Sequence, residues 1–122
     1  MLHPHNAPPA GEATVNVGVL HNMMPDGSGF LGHQPEHPMR VVYSCLADAS
    51  QSDDETLEQA FFAFNVGDDP LFGEPLAVAV EYRAKRNRSL SVGDVVAVDR
   101  RLYACASFGW SRVMRDGNGI TT

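Results

Sequence analysis

The stretch that decides the fold is DVVAVDRRLYACA, residues 94–106. Residues 94–98 and 101–106 are dominated by Val, Leu, Tyr and other apolar residues, and only Asp99–Arg100 separates the two runs. Short apolar runs rich in β-branched and aromatic residues are typical of strands, and a two-residue connection favours a hairpin. Side chains alternate along a strand. We therefore expect one face with Leu102, Ala104, Ala106 and Phe108, and the other with Tyr103, Cys105 and Ser107.

A helix upstream is predicted to pack on this hairpin. Ser52 and Glu55 have the spacing of a capping box, and acidic residues in the first turn suit the positive end of a helix. Apolar residues then recur at helical spacing, at Leu57, Ala60, Phe61 and Phe64, and Asn65 with Gly67 predicts the end. The expected common core of helix and hairpin is Phe61, Phe64, Val96, Leu102 and Phe108.

The remaining pattern predicts three more strands and a short helix. Alternating Val15, Val17 and Val19 indicate a strand over 14–20, and residues 39–46 and 110–114 read as further strands. Residues 22–38 and 66–75 predict loops, and residues 76–86 a short helix. The fold class expected is α+β: a small mixed sheet or partly open small barrel with one main amphipathic helix packed on it.

Length and composition indicate one domain. The chain has 122 residues, 43% of them hydrophobic, enough for a single core. We expect residues 1–13 to be a mobile tail, residues 14–116 to form the domain, and residues 117–122 to be a C-terminal tail. The N-terminus lacks the pattern of a secretory signal, no apolar run reaches the length of a membrane span, and two cysteines suit a reduced, cytoplasmic protein.

The charge is unevenly distributed. Residues 1–81 hold 12 acids and one base, a net of −11, whereas residues 82–122 hold three acids and eight bases, a net of +5; together they give −6. Two interpretations stay open: the two halves attract each other within the fold, or the protein has an acidic and a basic face that select different partners.

Few residues of the sequence indicate catalysis, metal binding or cofactor binding. His21, His33, Glu36 and His37 are residue types that bind zinc, but their spacing fits no established site, so no metal is expected. Cys45 and Cys105 stand in apolar strands, which favours buried structural thiols over nucleophiles. The sequence shows no nucleophile elbow, phosphate loop or dinucleotide fingerprint. We therefore expect no enzyme activity and no cofactor.

One basic stretch supports an alternative. Arg83, Lys85, Arg86 and Arg88 follow each other closely, and such cations contact phosphates in nucleic-acid binders. Only Tyr82 adjoins them as a ring on which a base could stack. The sequence pI near 5.2 also argues against a dedicated nucleic-acid binder.

The segments Ser-Leu-Ser-Val-Gly-Asp (residues 89–94) and Tyr-Ala-Cys-Ala-Ser-Phe-Gly-Trp (residues 103–110), with Phe-Phe-Ala-Phe-Asn (residues 61–65) upstream, resemble the YodL-like domain family. The resemblance covers about residues 55–112, and this chain departs from the pattern by an insert at about residues 66–88, which holds the basic stretch. The family looks like an accessory domain of plasmids, phages and conjugative elements, with no established catalytic residues. The resemblance therefore implies a mobile-element context without a mechanism.

The function expected from the sequence is a non-enzymatic protein-interaction module of a mobile element, with a possible role in counter-defence. The expected partner is a host or element protein, and no membrane association is expected. The candidate partner-binding residues are Trp110, Phe108, Arg83, Arg86 and Arg88, with Trp110 either an anchor or part of the core. The alternative is a nucleic-acid-binding accessory protein that uses the basic 83–101 region.

Overall fold

The architecture comes from a computed structural model, which describes residues 1–25, 28–34 and 36–113. Its strands are β1 (Leu2–His3), β2 (Thr14–Asn22), β3 (Met39–Asp48), β4 (Val95–Val98), β5 (Arg101–Cys105) and β6 (Trp110–Val113). Its helices are α1 (Asp53–Val66) and α2 (Ala77–Ala84), with short 3-10 turns at Ser28–Leu31 and Pro70–Phe72. The α+β class is confirmed. The predicted tail at 117–122 and the last residues of the predicted domain, 114–116, lie outside the described residues.

The sheet is open and has the order β1-β3-β2-β4-β5-β6, with every pairing antiparallel. β2 and β3 form a long pair, with a register shift between Val19 and Leu20. β2 pairs on its other side with β4, so the central strands come from distant parts of the chain. No helix within the described residues is both long and apolar enough to cross a membrane.

α1 begins as the sequence predicts. The Ser52 hydroxyl accepts a hydrogen bond from the Glu55 backbone N–H at 3.1 Å, and the Glu55 carboxylate accepts one from the Ser52 backbone N–H at 3.1 Å. This reciprocal capping box satisfies two N–H groups that the helix cannot satisfy itself. The second helix, expected over residues 76–86, is present as α2.

Two apolar clusters cover the two faces of the sheet. Val17, Val19, Val96 and Val98 pack against both helices, whereas Leu20, Val95, Ala97, Leu102 and Ala104 form a second cluster on the opposite face. All four residues of β4 are buried. The expected core is therefore partly wrong: the turn at Asp99–Arg100 pairs Val96 with Tyr103, so Tyr103 faces α1 and Leu102 faces away.

Two aromatic residues of the expected core are on the surface. Phe61 is 42% exposed and Phe108 is 97% exposed, whereas Phe64 and Ala63 are buried. Phe61 lies at the margin of the helix face, where it meets the ring of Trp110 edge-on at 6.4 Å between centroids. Phe108 lies in the turn after β5, beyond the last residue that pairs.

The first residues of the segment expected to be a mobile tail, residues 1–13, take part in the sheet. Leu2 and His3 pair with Ala47 and Leu46 of β3, and Leu2 and Pro4 are buried. The His3 ring also contacts the Asp48 carboxylate at 2.9 Å. The strand is too short to show a periodic pattern, so the sequence gives no signal for it.

We expect replacement of Phe64 by Ala to cost about 3–5 kcal/mol of folding free energy, because the ring is fully buried between Tyr43 and Tyr82. Phe61→Ala, on the same helix but partly exposed, is the matched control and should cost clearly less. Urea denaturation of both variants measures the difference. Equal losses would contradict the assignment of Phe64 as the centre of the core.

Candidate functional site

Asp94 is a fully buried carboxylate at the entrance to β4. It accepts hydrogen bonds from both terminal nitrogens of Arg88, at 2.6 and 2.8 Å, and from the backbone N–H groups of Ser91, at 2.9 Å, and Asn22, at 2.8 Å. The hydrogen bonds to Asp94 raise the pKa of Arg88. The ion pair therefore fixes the Arg88 guanidinium, a candidate partner-binding group, beside the end of β2.

The Ser-Leu-Ser-Val-Gly-Asp segment has an architectural role at this point. Gly93 has a φ of +96°, and a Cβ at this position would lie 1.9 Å from the carbonyl oxygen of Gly29. The Asn22 side-chain amide donates to the Gly93 carbonyl at 3.2 Å. The glycine therefore lets the backbone at Gly29 approach the start of β4, which only a residue without a side chain allows.

Arg83 is turned toward the protein. Its guanidinium donates to the carbonyls of Phe64, Asn65 and Asn87 at 3.0–3.2 Å and to the Ser89 hydroxyl at 2.7 Å. A cation bonded to the last carbonyls of a helix stabilises that end. Arg83, expected among the partner-binding residues, is thus occupied in holding the C-terminus of α1 to the chain after α2.

Residues 85–88 follow α2 and form one wall of what we call the cationic cleft, of about 550 Å³. The rest of its lining is His21 and Met23 near the end of β2, and residues 40–42 of β3. It therefore brings Arg40 close to Lys85, Arg86 and Arg88, which are far away in sequence. Arg40 is isolated from other basic residues in the sequence, so the sequence pattern does not predict its place beside Lys85, Arg86 and Arg88.

Arg101 lies outside the cationic cleft. Arg101 forms a two-pronged ion pair with Asp53 at the start of α1, at 2.6 and 2.9 Å, and the Tyr103 hydroxyl donates to the same carboxylate. The bond to Arg101 lowers the pKa of Asp53 and outweighs its desolvation. This pair joins an acid from residues 1–81 to a base from residues 82–122. It is the kind of contact expected if the two halves of the chain attract each other within the fold.

Phe108, Trp110 and Phe61 form a second candidate site, which we call the aromatic surface. The turn that carries Phe108 closes with a hydrogen bond from the Ala106 N–H to the Gly109 carbonyl at 3.0 Å, and Gly109 has a φ of +69°. Trp110 is half-buried and packs against the main core and Phe61. The structure therefore gives Trp110 a part in the core, and leaves Phe108 as the exposed ring.

The remaining polar candidates are held within the fold. The His21 ring is buried and bonds the Tyr82 hydroxyl at 2.6 Å, and burial, aided by the charge of Arg88, lowers the pKa of His21. His33 and His37 meet edge-on at 6.0 Å. Within residues 1–25, 28–34 and 36–113, no group of three potential ligands is arranged to hold a metal ion.

Comparison with known proteins gives no relative: no family model, no curated protein and no solved structure matches the chain. The resemblance of about residues 55–112 to the YodL-like family thus stays a prediction.

We expect both thiols to be slow to react in the folded protein. Burial raises the pKa of the Cys45 thiol to about 12, and burial and Asp94 raise that of Cys105, so little thiolate is present at neutral pH. Ellman's reagent should label both thiols rapidly only after denaturation. Fast stoichiometric labelling of native Cys105 would contradict this and indicate an activated thiol.

We expect Asp94→Asn to destabilise the fold by about 3 kcal/mol, because it removes the charge that pairs with Arg88 and one acceptor of a buried network. Asp99→Asn, at an exposed turn position, is the control and should change stability by no more than about 0.5 kcal/mol. Thermal and urea unfolding of both variants measure the difference. Matching stabilities would show that the Asp94 network is dispensable.

Proposed function

We propose that this chain is a non-enzymatic protein-interaction module that binds its partner through the aromatic surface. The observation that carries the proposal is the 97% exposure of Phe108 on a turn closed by its own hydrogen bond. Aromatic side chains dominate the binding energy of many interfaces, because a ring that enters a partner's pocket buries a large apolar area at little cost in entropy. The expected partner is a protein with an apolar pocket wide enough for a phenyl ring.

The surroundings of Phe108 support this assignment. Trp110 follows two residues later and packs against the core, so the turn that carries Phe108 leads directly into a packed strand. Phe61, at 42% exposed, adds apolar area beside Trp110.

The cellular context is supported by the resemblance of about residues 55–112 to the YodL-like family. It suggests an accessory protein of a plasmid, phage or conjugative element that acts in counter-defence, with a host or element protein as the partner.

The alternative of nucleic-acid binding through the basic 83–101 region has weaker support. Arg83 is bonded to helix carbonyls and Arg101 to Asp53, so two of the basic residues are engaged within the fold. Arg88 lies beside the start of β4, whereas Arg100 follows its end. The basic residues therefore do not form the continuous track that a nucleic-acid backbone follows.

We expect Phe108→Ser to abolish partner retention without altering the fold, because the ring has almost no contact with the protein. Leu71→Ser is the matched control, since Leu71 is 88% exposed on a different loop. Wild type and both variants, with melting temperatures compared first, are used as immobilised baits for lysate of a candidate host. Proteins retained by wild type and Leu71→Ser but lost with Phe108→Ser would support the proposal.

A photo-crosslinking amino acid at position 108, and in a second protein at position 71, identifies direct contact. We expect a crosslinked partner from position 108 alone. Retention that is indifferent to Phe108→Ser, or equal crosslinking from both positions, would overturn the proposal.

A further inference from the structure

The cationic cleft is separate from the aromatic surface. Its walls belong to β2, β3 and the chain after α2, whereas Phe108 lies between β5 and β6, and β4 lies between the two regions in the sheet. Four cations line it: Arg40, Lys85, Arg86 and Arg88. No carboxylate is among its described lining residues.

Most of this positive charge is not neutralised within the fold. Arg88 is paired with Asp94, but Arg40, Lys85 and Arg86 form no ion pair with any residue that the structure describes. In contrast, Arg83 and Arg101 reach carboxylates outside the cleft. Like charges gathered in one concave site, in a protein whose net charge is −6, raise the local concentration of anions.

The wall formed by residues 85–88 is held in place from both sides. The Asn87 side chain donates to the Val42 carbonyl of β3 at 3.2 Å, and Arg83 donates to the Asn87 carbonyl at 3.0 Å. The Tyr82 hydroxyl donates to the Arg88 carbonyl at 2.5 Å and also meets His21. The cations are therefore carried on a preorganised segment, which reduces the entropy cost of binding a ligand.

Arg86 has a φ of +62°, in the left-handed region. This region brings Cβ close to the following carbonyl oxygen, so it is normally occupied by glycine or asparagine. The exposed Arg86 side chain makes no ion pair with a described residue that would repay this strain. A left-handed residue at this position ends α2, and the Arg86 N–H donates to the Arg83 carbonyl at 2.8 Å. A glycine would adopt the same turn more easily, so Arg86→Gly removes the side chain without straining the backbone.

We propose that the cationic cleft binds the phosphate group of a small phosphorylated molecule. Several converging cations suit a multiply charged phosphate better than a single carboxylate, and guanidinium groups bind phosphate oxygens in a two-pronged geometry. The cleft volume lies within the range of small-molecule sites and exceeds what one phosphate fills. Met23, Val41 and Val42 supply apolar wall for the organic part.

A small ligand fits better than a nucleic acid. The described lining contains no Phe, Tyr or Trp on which a base would stack, and the positive residues of the cleft do not continue toward Arg100 at the far end of β4. Inorganic pyrophosphate is therefore a suitable probe, because it carries the phosphate charge without an organic part.

Isothermal titration calorimetry of the full chain with pyrophosphate at low ionic strength tests the proposal. We expect Arg86→Gly to weaken pyrophosphate binding about tenfold or more, which corresponds to the loss of one hydrogen bond between charged groups. Because glycine relieves the left-handed strain, the melting temperature of this variant should not fall, which separates a binding defect from misfolding. Arg40→Ala should weaken binding to a similar degree.

Arg100→Ala is the matched control. It removes one positive charge from an exposed turn outside the cleft. We expect it to change the pyrophosphate dissociation constant less than twofold, because a charge that does not contact the ligand acts on it only at long range. Sulfate at equal ionic strength measures general anion binding and should bind more weakly than pyrophosphate.

Three results would overturn the proposal. Absence of pyrophosphate binding at millimolar concentration would exclude the site, and equal effects of Arg100→Ala and Arg86→Gly would indicate general charge attraction. A single-stranded oligonucleotide that binds more tightly than pyrophosphate, with losses for Arg86→Gly and Arg100→Ala alike, would identify an extended nucleic-acid surface in place of the cleft.

Discussion

A carboxylate removed from water must be paired and hydrogen-bonded, or its desolvation outweighs what the fold gains by burying it. Asp94 meets this condition with hydrogen-bond donors from two segments that are distant in sequence: Arg88 and Ser91 in the connection between α2 and β4, and the backbone of Asn22 at the end of β2. The chain after α2 and the end of β2 are therefore held in one arrangement. The cationic cleft lies where these segments meet, so its geometry depends on the same buried charge.

The two candidate sites differ in how they relate to the core. Trp110 and Phe61 join the aromatic surface to the packed side of α1, and only Phe108 extends from it. The cationic cleft has its support in polar contacts, through Tyr82, Asn87 and Arg83. Apolar packing thus positions the aromatic surface, and a hydrogen-bond network positions the cationic cleft. A substitution that alters one site can therefore leave the other unchanged.

Local patterns were sufficient for α1, because the capping box and apolar spacing act within a few residues, and for the strand sequences around Asp99–Arg100. They failed where position depends on distant segments. Phe108 fits the apolar alternation of β5, but pairing ends at Cys105, so the ring is exposed. Arg40 joins the cleft only because β3 lies beside the segment after α2. The run from Arg83 to Arg88 looks continuous in sequence, yet the fold directs Arg83 inward.

The strand order has a consequence for synthesis on the ribosome. β2 finds β3 within a few tens of residues, but its other edge pairs with β4, which begins at Val95. At typical elongation rates that edge waits on the order of ten seconds for its neighbour. During this interval the nascent chain presents an unpaired strand with Val17, Val19 and Leu20, the combination that recruits other chains into aggregates. A chaperone that covers this edge until β4 has been synthesised would therefore raise the yield of correctly folded protein.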